Sequence, residues 1–279
     1  METIPFLLAI TDTTRPARGI NPGLVIGLIV AFVVLAGAVV CFIFYLRKRA
    51  RRASREEERG PGSLPEEWAE ASEERAAFFK EFEAKLDGLR KRNPARLSSE
   101  ERQEIEGMNT VLLGMKAMGE PWGAREHFYM GFTLAINAWL ASFRDNRGEA
   151  ERFFRQAVEN CLMATEMTRY DPDAHNGLSN ALSGLGWVLL ESGNTREAHA
   201  LFKSAARSAE MALQLRAFAD ARYNLGLAWE GTSMTQTPWK AKKSLSKAIN
   251  SYTVALEMDP DHELAKEYLE RAIARLEAK

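Results

Sequence analysis

The sequence predicts an all-α chain: a single N-terminal transmembrane helix, then an α-solenoid of paired helices ending in a C-terminal capping helix. Three observations carry this reading. An uninterrupted apolar run covers Gly23 to Leu46 and is followed at once by Arg47-Lys48-Arg49-Ala50-Arg51-Arg52. Beyond Pro121 valine and isoleucine are sparse, alanine is frequent, and Gly or Asp-Pro punctuation separates helical runs of roughly 15 to 22 residues. A pattern of alanine, aromatic and alanine recurs along the second half of the chain.

The apolar run comes first in chain order. As a helix, about 24 residues rise roughly 36 Å, enough to cross a hydrocarbon core of about 30 Å. A soluble domain would have to bury such a run on every side. Lys and Arg resist translocation, so the basic collar stays on the cytoplasmic face, with residues 1–22 outside. A cleaved export signal carries its bases ahead of a shorter apolar stretch. Here Met1 to Ile10 holds Glu2 and no base, and the six Lys or Arg from Arg47 to Arg55 that follow the run outweigh Arg15 and Arg18 ahead of it. The expected location is the cell inner membrane or plasma membrane, single-pass, with the C-terminal domain cytoplasmic; an organelle surface is the alternative.

Gly23, Gly27 and Ala31 are spaced by four, a small-residue face on which two such helices can pack, so a homodimer through the membrane helix is open. Arg47, Lys48, Arg49, Arg51 and Arg52 are candidates for contact with lipid headgroups, each worth about 1 kcal/mol near an anionic surface. A topology signal alone also accounts for them.

Composition narrows the function classes. The formal net charge is -1, and the bases cluster beside the apolar run, which argues against nucleic acid. Cys41 lies within the run and Cys161 far along the chain, so no disulfide framework is expected.

Residues 47–62 form a basic juxtamembrane linker that passes through Glu56-Glu57-Glu58 and stops at Gly60-Pro61-Gly62. Residues 63–120 form an amphipathic helical segment. Trp68, Phe78, Phe79, Phe82, Leu86 and Leu89 recur at helical steps up to Asn93-Pro94. Ser98-Ser99-Glu100-Glu101 then offers a capping box for a helix with Ile105, Met108, Leu112 and Met115 on one face. Residues 121–279 form the repeat domain.

Within that domain the chain resembles itself. Ala150, Phe154 and Ala157 match Ala198, Phe202 and Ala205, and again Ala248, Tyr252 and Ala255. Small residues at i and i+7 admit a neighbouring helix, and the aromatic between them fills the groove. Upstream lie Leu185-Gly186 and Tyr223-Asn224-Leu225-Gly226. With the closure Ala255-Leu256-Glu257-Met258-Asp259-Pro260, these residues resemble the tetratricopeptide repeat (TPR) family. The resemblance covers about Phe128 to Lys279. It departs in period: the alanines stand 48 and 50 residues apart, against about 34 in that family. Asn137-Ala138 replaces Leu-Gly in the first unit, and Thr232 to Lys243 reads as an insertion in the last. Glu263 to Ala278 reads as the solvating cap.

No phosphate loop, nucleophile elbow or metal-binding His motif occurs, so no catalytic residue, cofactor or metal is assigned and an enzyme is not expected. His262, in the first turn after Asp-Pro, is read as a solvated surface residue. The resemblance implies instead a partner groove lined by the first helix of each unit. By position that points to Asn180, Ser183 and Trp187, with Tyr223 and Leu227 in the next unit. The function expected is a membrane-anchored adaptor or scaffold binding a protein or peptide partner. The alternative is a structural subunit whose membrane helix makes specific contacts, and an enzyme with an unrecognised site ranks below both.

Overall fold

The computed structural model describes residues 76–278, without 78, 87, 90, 91 and 118–121. Among the described residues every regular element is helical, and no strand occurs. No helix among them is long and apolar enough to cross a membrane. The predicted span 23–46, its packing face Gly23, Gly27 and Ala31, and the collar Arg47, Lys48, Arg49, Arg51 and Arg52 all lie outside the described residues.

The described residues from 76 to 86 are helical and bury Phe79, Phe82 and Leu86, three of the predicted face. A short 3-10 turn, Pro94–Arg96, leads to α1 (Ser99–Ala117). The capping box forms as its spacing predicts: the Glu101 N–H donates to Ser98 Oγ at 3.2 Å and the Ser98 N–H to Glu101 Oε2 at 2.8 Å. Ile105, Met108 and Leu112 are the buried face of α1.

The rest folds as three hairpins and a single last helix. α2 (Ala124–Phe143) pairs with α3 (Arg147–Met167), α4 (Pro172–Glu191) with α5 (Thr195–Leu215), and α6 (Ala219–Met234) with α7 (Pro238–Met258). α8 (Glu263–Glu277) closes the series. Short connections make neighbouring helices antiparallel. The first helices α2, α4 and α6 also pack one on the next, and α8 packs on both α6 and α7. The first helices thus form a continuous inner row, which α8 extends, and the second helices form an outer row.

Small residues set these contacts. Along α3 the residues Ala150, Phe154, Ala157, Cys161 and Ala164 are fully buried, and along α5 the equivalent Ala198, Phe202, Ala205, Ala209 and Ala212. α7 repeats the register with Ala241, Leu245, Ala248, Tyr252 and Ala255. Each aromatic ring sits against glycine backbone. A Cβ on Gly184 would lie 2.1 Å from the Phe154 ring, one on Gly186 2.7 Å from Phe202, and one on Gly226 2.5 Å from Tyr252. Phe202 also meets Gly231 of the following hairpin, where a Cβ would lie 2.3 Å away. The ring therefore wedges between two successive first helices.

The long period has a simple origin. The outer helices α3, α5 and α7 each run 21 residues, extending the repeat within the helices. The insertion read at Thr232–Lys243 is absent as a loop, because α6 continues to Met234 and α7 begins at Pro238. The hairpin turns repeat as well: Asp145 (φ 55°) and Gly193 (φ 84°) stand at the same place, one residue before Asn146 and Asn194.

Candidate functional site

The inner row of helices lines a groove. α2 supplies Phe132, Ala135, Ile136, Trp139 and Phe143; α4 supplies Asn180, α6 Tyr223, and α8 Leu264 and Tyr268. Trp139 packs edge-on to Phe154 at 5.2 Å between ring centres, so the groove wall is braced from the hairpin core. Phe143 is 51% exposed at the rim.

An amide chain ties the first helices together. The Trp139 Nε1–H donates to Asn180 Oδ1 at 3.5 Å, Asn180 Nδ2 donates to Asn224 Oδ1 at 3.2 Å, and Asn224 Nδ2 donates to Asn176 Oδ1 at 2.8 Å. Asn176 and Asn224 are buried. A buried amide without partners costs about 1–3 kcal/mol, so the Asn176–Asn224–Asn180 links fix the register of α4 and α6, and the longer Trp139 contact reaches α2.

The five residues assigned to the groove divide. Asn180 lines it and is half-buried, and Trp187 is half-buried beside Phe202 at 5.4 Å between ring centres. Tyr223 lines it but is itself buried, between Tyr252, Tyr268 and His262. Ser183 and Leu227 are fully buried and present no surface to a partner. Each first helix is covered by its hairpin mate and by the first helices beside it, so little of it stays open. Phe132, Trp139 and Phe143 escaped sequence reading because α2 carries no Leu-Gly pair to set the register.

His262 is a correction. It is fully buried, not solvated, and caps α8 by accepting from the Ala265 N–H at 3.2 Å through Nδ1. Its Nε2 lies 3.3 Å from Asp220 Oδ1 on α6. The remaining histidines make single hydrogen-bond links: His127 to Asn160, His175 to the Arg169 carbonyl, and His199 to Thr235. Among the described residues no group of His, Cys, Asp or Glu is placed to hold a metal ion.

Beside the groove lies a buried charge cluster that sequence reading missed. Glu230 on α6 is fully buried. It accepts two hydrogen bonds from Arg271 at 2.9 Å, one from Arg275, and one from the Tyr252 hydroxyl at 2.8 Å. Burial by itself lowers the Arg271 pKa, but the hydrogen bonds and charge of Glu230 outweigh it and raise the value. Burial pushes the Tyr223 and Tyr252 hydroxyls well above their ordinary range. These groups lock α8 onto the last hairpin.

The groove is crossed by the chain itself. Arg92, Asn93 and Pro94 also line it, and Asn93 Nδ2 donates to both carboxylate oxygens of Glu267 on α8, at 3.1 and 3.4 Å. Arg96 pairs with the same carboxylate at 3.3 Å, and Leu97 is buried with Ile105, Ile136 and Leu140. Compared with protein-family models, with curated proteins and with solved structures, the chain matches none.

Proposed function

We propose that this chain is a membrane-anchored adaptor of the TPR type, binding a protein or peptide segment in the groove of its inner helices on the cytoplasmic face. One observation carries the reading: the first helices of three hairpins and α8 stand side by side and line a single groove. Its wall offers aromatic and amide side chains, a surface suited to an extended or helical segment. The apolar run Gly23–Leu46 and its collar support the anchor, and the Ala-aromatic-Ala hairpins support the family, with a longer period than is typical. Tethering confines groove and partner to one surface, so a modest affinity gives effective capture.

Site-specific photo-crosslinking in cells tests this. A photoreactive residue at Phe143, on the groove rim, is expected to yield protein adducts, while one at Arg207, exposed on α5, yields none. No adduct at 143, or equal adducts at both positions, overturns the proposal.

A further inference from the structure

The segment crossing the groove has the features of a bound ligand. Asn93 and Leu97, at its two ends, have extended backbone, with ψ of 117° and 136°, and Pro94 stiffens the turn between them. Asn93 is 7% exposed although it lies in a connection, and its partner Glu267 is 174 residues away. Its side chain serves two ends: Oδ1 accepts from the Ala95 N–H at 3.0 Å, and Nδ2 reaches Glu267. Leu97 acts as an apolar anchor, 4% exposed.

The holds are of a kind that another chain can replace. Arg96 and Glu267 remain 63% and 43% exposed, so their pair is weak and sensitive to salt. Glu267 is the acid that this segment meets, through Asn93 and Arg96, while Arg271 and Arg275 are taken up by Glu230. A second chain supplying a base and an apolar side chain at the same spacing can make the same contacts.

We infer that residues Asn93–Leu97 are a built-in ligand that keeps the groove closed until a partner segment of the same chemistry displaces them. That chemistry is a short stretch carrying one tight turn, with a basic residue facing Glu267 and an apolar residue for the Leu97 pocket. The inference rests on the groove being the partner surface. A tethered ligand acts at an effective concentration of about millimolar, so a free segment at micromolar concentration competes poorly.

The test uses the full chain in non-ionic detergent and a fluorescein-labelled synthetic peptide copying residues 89–100. Fluorescence anisotropy is expected to give binding at least ~10-fold tighter for the variant Asn93→Ala with Arg96→Glu than for wild type. Adding Glu267→Arg to that variant, or placing the Asn93→Ala and Arg96→Glu changes in the peptide, removes the gain. Equal binding to wild type and variant, including none to either, overturns the inference. Should the variant lose its helical circular dichroism, spin labels at Ala95→Cys and Lys266→Cys, with Cys41→Ser, replace it. Millimolar peptide then lengthens the measured distance, and an unchanged distance overturns the inference.

Failure of the adaptor reading is distinguishable. Photo-adducts at 143 that are equally strong in wild type and variant retain the groove and remove the gate. Tighter peptide binding with no adducts in cells retains the gate chemistry and removes the partner reading.

Discussion

Replacing Gly231 by alanine is a demanding check on how the hairpins stack, because two effects of opposite sign meet there. In a helix interior Gly→Ala ordinarily gains about 0.8–1 kcal/mol. At Gly231 the added Cβ would fall 2.3, 2.5 and 2.5 Å from Cε1, Cδ1 and Cζ of Phe202. The ring is fully buried and has no retreat, since a Cβ at Gly186 on the previous first helix would lie only 2.7 Å from Cε1. Overpacking of this kind costs about 1–3 kcal/mol, and contact this close on a fixed ring belongs at the upper end. Net of propensity, Gly231→Ala is expected to destabilise by about 2 kcal/mol, which lowers the melting temperature of a domain of this size by about 4–8 °C. Gly107, exposed on α1 with nothing within 4 Å of its Cβ position, supplies the control. Gly107→Ala is expected to gain up to about 1 kcal/mol. Urea titration of residues 73–279, a compact unit, followed by far-UV circular dichroism reads both. Phe202→Leu combined with Gly231→Ala should be less destabilising than the sum of the single changes. If Gly231→Ala stabilises as Gly107→Ala does, the wedge of Phe202 between two first helices is wrong.

Three further outcomes are expected. Glu230→Ala removes the acid from Arg271 and Arg275, which keep about a third of their side chains in water, and should cost about 2–3 kcal/mol in the same titration; a loss below 1 would mean α8 is held otherwise. Tyr223, Tyr252 and Tyr268 all have raised pKa, burial being the main cause in each. Their folded forms keep protons that the unfolded chain releases near pH 10, so stability is level below that pH and falls as pH rises beyond it. The share of tyrosinate absorbance due to these three should therefore appear together with loss of helical signal, and full ionisation of every tyrosine at pH 10 with the helices intact would contradict the burial. Asp145→Gly should raise stability by about 0.5–1 kcal/mol, because Asp145 holds the positive φ that Gly193 supplies in the next hairpin; an unchanged urea midpoint would show no strain there.

Much of the architecture is legible along the chain. Ser98 and Glu101 announce α1 because capping is local chemistry, closed within four residues. The alanine-aromatic-alanine register of α3, α5 and α7 is legible because each outer helix buries a single stripe, and one stripe leaves a clear period. The inner helices are harder. α6 buries Tyr223, Asn224, Leu225, Gly226, Leu227 and Ala228 in unbroken succession, so its period cannot tell groove from core. His262 reads as a surface residue from its neighbours Asp259, Pro260 and Asp261, yet α8 folds back and covers it with Asp220 and Tyr223.

The sequence by itself determined what local forces decide: the helical class, the hairpin register, the caps, and the expectation of an apolar anchor with a basic collar. Only the tertiary structure decided which faces remain open, that Glu230 gathers two arginines, and that Asn93 crosses the groove to Glu267. The physical reason is separation along the chain. Period and capping act over one or two helical turns, whereas contacts spanning 41 to 174 residues exist only once the hairpins have stacked and brought their ends together.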